Sequence, residues 1–177
     1  MSSIESSNLR KLSESADAGR LNSRWGHDAA SGLIWAIRRG AVLVTTNPVM
    51  TNTVRKEDPS TWDPVRDALR DEHPTPTPEQ RASFMTMNVV LEACREFRPI
   101  WEATNGRFGN VSLQVNPRAN DDAGRMVEEV TGLYDRPQIE LDGTPNAMFK
   151  IPATRAGLDA VRCLTAAGIA VNVTANA

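Results

Sequence analysis

Lysine is scarce in this chain. Only Lys11, Lys56 and Lys150 occur, against seventeen arginines. Cysteine is rarer: Cys94 and Cys163 are too few and too scattered for a disulfide framework or a metal knuckle. Both lie in helix-like segments, and each reads as a small buried apolar residue. The two histidines, His27 and His73, lack metal-ligand spacing. His73 precedes a proline-rich loop and reads as solvent-exposed. There is no GxGxxG and no glycine-rich loop closing on Lys-Ser or Lys-Thr, so the common phosphate cradles are excluded. No apolar run approaches the length of a membrane span. With a net charge of -2, the chain has no basic excess to draw nucleic acid or an anionic membrane. Residues 1–7 are polar and carry no apolar signal core, which points to the cytoplasm.

What is present is an ordinary globular composition, 40% hydrophobic and 24% charged. The 177 residues suffice for one core but fall short of the roughly 250 of a complete TIM barrel. Residues 1–20 read as a polar tail or frayed helix, and 21–177 as a single domain. Within it, 21–28 is weakly strand-like and 33–39 a short helix stopped by Gly40. Residues 41–45 form a continuous apolar strand of the kind buried on both faces. One helix is expected at 62–71. Thr77, with Pro78 next and Gln80 three residues on, predicts a capped start to a long helix. Its apolar stripe is Phe84, Met87, Val90, Leu91 and Cys94.

Strands follow at 111–115, 147–151 and 169–174. Between them lie helices marked by Met126, Val127, Val130 and Leu133, and by Leu158, Val161 and Leu164 facing inward. About five strands alternating with helices imply right-handed crossovers and a parallel α/β sheet.

In such sheets ligands bind at the C-terminal strand edge. Thr45, Thr46 and Asn47 stand there on one strand, Gln114 and Asn116 on the next, and Asn172 and Thr174 on the last. Lys150 lies in the strand between. An ammonium inside a strand is costly unless it is paired or loses its proton. A desolvated lysine is also what Schiff-base chemistry on a carbonyl requires. The competing reading is a strand-end lysine whose head reaches water. His27 and Asp28 fall where the first strand ends, so either could face the site.

Three stretches carry a resemblance to a known family. They are Thr45-Thr46-Asn47-Pro48; Asn110-Val111-Ser112-Leu113-Gln114-Val115-Asn116-Pro117-Arg118; and Lys150-Ile151-Pro152-Ala153-Thr154-Arg155-Ala156-Gly157-Leu158 together with Gly168-Ile169-Ala170-Val171-Asn172-Val173-Thr174. From about Trp25 to the end, the chain resembles transaldolase, a (β/α)8 TIM barrel of the class I aldolase superfamily. The resemblance implies a partial barrel. It also implies transfer of a three-carbon dihydroxyacetone unit between sugar phosphates, as in the pentose phosphate pathway, with no cofactor or metal.

It makes Lys150 the Schiff-base position. Asn47 and Thr46 would bind substrate, and Asn172 and Thr174 would line the fifth strand, Thr174 holding a water. Gln114 stands where the family usually has a glutamate, and a neutral amide can only hydrogen-bond. The first-strand aspartate falls nearest Asp28, with His27 and Gly26 as alternatives. Strands six to eight have no counterpart here. The chain therefore reads as an active transaldolase or as an inactive fragment that binds a partner or sugar, and exposed edges imply self-association or pairing with a missing barrel half.

Overall fold

The computed structural model describes residues 7–175. Four strands, β1 (Leu43–Thr45), β2 (Asn110–Gln114), β3 (Ala147–Pro152) and β4 (Val171–Thr174), form one parallel sheet in the order β1-β2-β3-β4. Seven helices accompany them among these residues: α1 (Asn8–Asp17), α2 (Leu33–Ile37), α3 (Pro48–Glu57), α4 (Pro59–Glu72), α5 (Pro78–Ala103), α6 (Ala123–Glu140) and α7 (Arg155–Ala166). Strand order matches chain order, so successive right-handed crossovers set every connecting helix on the same face. A doubly wound sheet would reverse direction at a switch point. This sheet does not, and the result is a half-barrel wall.

Burial follows from that one-sided cover. Val44, Val111, Leu113, Ala147, Phe149 and Ile151 are buried, and α5, α6 and α7 pack against the strands. The alternate positions Thr45, Gln114, Met148, Lys150 and Asn172 are only half-buried. The expectation that 41–45 is buried on both faces is corrected accordingly. Leu43 and Thr45 stay half-exposed because helices cover one face only.

The strand expected at 21–28 contracts to a single bridge, His27 to Val44. Trp25 to His27 still runs beside β1: Val42 N donates to Trp25 O (3.1 Å), His27 N to Leu43 O (2.9 Å) and Thr45 N to His27 O (2.9 Å). At Gly26 a Cβ would stand 2.6 Å from Leu43 Cδ1, so the close approach to β1 uses the missing side chain. The sheet thus has four strands and a one-bridge flank rather than five.

The long helix begins as its spacing predicts. Thr77 Oγ1 accepts from Gln80 N, and Gln80 Oε1 accepts from Thr77 N (2.9 Å), a reciprocal capping box. Met87, Val90, Leu91, Cys94 and Phe97 are fully buried along it. Burial lifts the Cys94 thiol to about 12. Residues 48–72 hold two helices, not one. Asn47-Pro48 and Asp58-Pro59 each pair a capping side chain with a proline in the first turn.

Three side chains sit differently from expectation. In α7 the buried stripe runs through Gly157, Ala160 and Leu164, so Leu158 and Cys163 fall off it and are exposed. His73 is half-buried and stacks on Phe84 with ring centroids 4.1 Å apart, which removes it from open solvent. Within the segment read as tail or frayed helix, α1 docks through Ser13, whose Oγ donates to Gly40 O (3.0 Å); residues 1–6 lie outside the described part. Among the described residues no helix is long and apolar enough to cross a membrane.

Candidate active site

The open face of the sheet carries the polar side chains. Parallel register pairs Gln114 with Lys150 and Lys150 with Asn172, so the three stand in one row across β2, β3 and β4. Neighbouring parallel strands lie about 4.8 Å apart, which puts a neutral amide on each side of the lysine at side-chain reach. Among the described residues no ion pair or hydrogen bond engages the Lys150 amino group. The next row toward the strand starts holds Thr45, Ser112 and Met148. Asn172 Nδ2 reaches down to donate to Ser112 Oγ (3.3 Å). Ser112 is fully buried and was not singled out from sequence. Its spacing two residues before Gln114 was the available signal, since that spacing returns to the same face.

The flank beside β1 separates the three first-strand alternatives. Thr45 Oγ1 donates to Asp28 Oδ1 (2.5 Å), so the Asp28 carboxylate joins the polar face beside Thr45. His27 takes the opposite side: it pairs with buried Val44, its Nε2 lies 2.8 Å from Ser31 O, and its ring packs near Trp35. Gly26 offers no side chain.

Other candidates are engaged inside the fold. Thr46 is fully buried, with its hydroxyl donating to Ser112 O (2.7 Å), a link between the ends of β1 and β2. Asn47 Oδ1 accepts from Val49 N and Met50 N (both 3.0 Å) as the cap of α3. Its Nδ2 has no recorded partner among the described residues. Thr174 pairs with Pro152 at the top of the edge strand, and its hydroxyl donates weakly to Ala175 O (3.4 Å).

Two supports hold the rim. Thr154 Oγ1 donates to Asn120 O (2.5 Å) and accepts from Gly157 N (2.9 Å), which caps α7 and ties it to the loop after β2. A Cβ at Gly157 would stand 1.9 Å from Pro152 O. Glycine therefore lets the first turn of α7 press onto the end of the lysine strand. Glu129 is the second support, and it too was missed. Its carboxylate accepts from Ser83 Oγ (2.6 Å) and from Asn116 N (3.0 Å), fixing the turn that follows Gln114. Among the described residues no group of three or more His, Cys, Asp or Glu side chains is placed to hold a metal ion.

A lysine between two amides at the C-terminal edge of a singly wound parallel sheet agrees with what comparison of the sequence finds. The family model for transaldolase/fructose-6-phosphate aldolase matches residues 35–176. The chain belongs to this family. It is 38% identical over 138 residues to a transaldolase of Neisseria meningitidis serogroup C, covering 78% of this chain and 37% of that protein. A transaldolase of Thermobifida fusca is 37% identical over 138 residues, covering 77% and 35%. One from Mycobacterium ulcerans is 38% identical over 90 residues, covering 51% and 23%. The chain thus spans about a third of the length of the first two of these relatives. Every strand and the lysine row fall inside the transaldolase match, while Asp28 lies before it.

Proposed function

We propose that Lys150 is the nucleophile of a transaldolase-type reaction on sugar phosphates. The observation that carries this reading is the row Gln114–Lys150–Asn172, an amine flanked by neutral amides at the ligand-binding edge of a half-barrel. A carboxylate beside the amine would favour its charged form; amides can hold hydroxyls and water without doing so.

The free amine adds to the ketose carbonyl, and the carbinolamine loses water to give a protonated imine. Asp28 takes the proton from the C4 hydroxyl. The C3–C4 bond breaks, the aldehyde leaves, and the electron pair is stored in the enamine. The enamine then attacks an acceptor aldehyde, whose oxygen takes the proton back from Asp28, and water hydrolyses the new imine to restore the amine. Asn172 and Asn47 Nδ2 orient the donor hydroxyls. Gln114 and Thr174 hold the water that enters and leaves the imine. Thr46 acts from beneath by tying β1 to β2.

A second reading is binding of sugar or a partner without turnover. Gln114 favours it, because an amide cannot shuttle the proton that a glutamate can. Borohydride trapping separates the two. Purified chain is incubated with fructose 6-phosphate, reduced, and examined by intact mass and peptide mapping. The expected result is a reduced sugar adduct on the Lys150 peptide that is absent from Lys150→Ala. A folded sample that gives no adduct would overturn the catalytic reading and leave binding alone.

A further inference from the structure

A second cavity lies away from the lysine row. Helices α3 and α4 pack chiefly on α5 and on each other, and between the three is a groove of about 500 Å³. That volume is within the usual range of small-molecule pockets. Its wall is largely apolar, with Val49, Leu69 and Met85 contributing. Four guanidinium groups line it as well, from all three helices: Arg55, Arg66, Arg70 and Arg81. Among the described residues no carboxylate lines it.

The four arginines are not equivalent. Arg66 pairs with Asp63 and Asp67, and Arg70 pairs with Asp67, so this half of the rim is largely neutralised from outside the groove. Among the described residues Arg55 donates only to Asn52 Oδ1 (3.1 Å), and Arg81 only to Pro76 O (3.2 and 3.3 Å). Neither has an acidic partner among the described residues. A guanidinium has five N–H donors, so both keep most of theirs unused beside an apolar wall. Planar forks of this kind match phosphate and carboxylate.

We propose that this groove binds a small amphipathic anion, a phosphate or carboxylate carrying an aryl or alkyl body. The body lies on Val49, Leu69 and Met85. The anionic head meets the guanidinium groups, Arg55 and Arg81 first. The site is independent of Lys150. Charge alone does not account for it, since an inorganic anion leaves the apolar wall wet. Apolar contact alone does not either, since an uncharged ligand leaves the forks unpaired.

The test is a titration of the full chain with 2-naphthyl phosphate, followed by calorimetry and by amide shifts. 2-Naphthol and inorganic phosphate serve as controls. Saturable one-to-one binding is expected, at least about tenfold tighter than either control. It should weaken as salt is raised, and the shifts should centre on Leu69, Ala82 and Met85. The double variant Arg55→Gln/Arg81→Gln should lose at least about tenfold in affinity. Should that variant fail to fold, Met85→Glu puts a carboxylate into the apolar wall where the body lies and should give the same loss. Lys150→Ala should bind as the parent does, which separates this proposal from the aldol chemistry. Equal binding of 2-naphthol, equal binding of phosphate, full affinity in the arginine variant, or no saturation at all would each overturn it.

Discussion

Two helical glycines, given the same substitution, should respond with opposite signs. Gly132 lies in α6 with nothing within 4 Å of where a Cβ would sit. Gly157 lies in the first turn of α7, where a Cβ would stand 1.9 Å from Pro152 O and 3.1 Å from Thr154 Oγ1. Helix propensity alone favours alanine at both by about 1 kcal/mol. At Gly132 nothing opposes it, so Gly132→Ala should stabilise by about 0.5–1 kcal/mol. At Gly157 the obstacle is a backbone oxygen, which cannot rotate away. Real Cβ contacts essentially never fall under 3.0 Å, so α7 must retreat by about 1 Å from the end of β3. With a rigid backbone oxygen in the way the cost falls at the upper end of overpacking, about 3 kcal/mol, which outweighs the propensity gain.

Gly157→Ala should therefore lower stability by about 2 kcal/mol, close to 4–8 °C in melting temperature for a chain of this size. The Gly132 variant should melt a few degrees higher than the parent. Urea unfolding followed by circular dichroism reads both. A Gly157→Ala protein as stable as Gly132→Ala would mean that α7 does not sit on the lysine strand as described, and the geometry of the rim would fall with it.

Removing the Thr154 hydroxyl deletes a cap and a tether together, so Thr154→Ala should cost about 2 kcal/mol in urea unfolding, while Thr154→Ser should recover most of it. Thiol labelling of the native chain should modify Cys163 alone, and both cysteines once unfolded, because Cys94 is buried with its thiol raised to about 12. That shift has a pH signature: the fold keeps a proton that the unfolded chain releases above the thiol's ordinary value of 9.0, so stability from this group is present below pH 9 and lost as pH rises toward 12. Comparing Cys94→Ala with the parent between pH 8 and 10.5 should show a shallower alkaline decline in the variant. Gln114→Glu sets a carboxylate in register beside Lys150, so the pH midpoint for borohydride-trapped adduct should move upward; an unmoved midpoint would mean the two side chains do not share a row.

The parts of the fold legible in the sequence were those written in local chemistry. The Thr77–Gln80 capping box marked the start of α5, and the polar strand ends put Gln114, Lys150 and Asn172 on three successive strands, although only the register sets them in one row. The second helix in 48–72 was written just as locally, as Asn47-Pro48 and Asp58-Pro59. It was passed over because the same residues also compose loops, and only the capping hydrogen bonds to Val49 N, Met50 N and Thr61 N separate the two readings. What no local pattern carries is the third dimension. The supports at Glu129 and Ser112 depend on contacts across tens of residues: Ser83 to Glu129, and Asn172 to Ser112. The orientation of Leu158 depended on which stripe of α7 meets the sheet, and Gly157 decided that.

The glycine also explains why the lysine motif continues past the lysine. A strand-borne amine needs only Lys150 and its lateral neighbours to exist, yet the match runs on through Pro152, Thr154 and Gly157. Each of those three does something to the end of β3. Pro152 N has no hydrogen to donate toward β2, the side that Lys150 O faces, which suits a strand ending there. Thr154 turns the chain into α7 and holds the loop after β2 through Asn120 O. Gly157 lets the helix close onto Pro152 O, which would stand 1.9 Å from a Cβ. Together they fix the height and direction of the strand end, and with it the position of Lys150 two residues earlier. A substitution at Gly157 should then displace the amine as well as destabilise the fold. In Gly157→Ala, measured well below its melting temperature, trapping at Lys150 should slow while the helix signal stays intact. Unchanged trapping in a folded Gly157→Ala would show that the motif past the lysine serves stability alone.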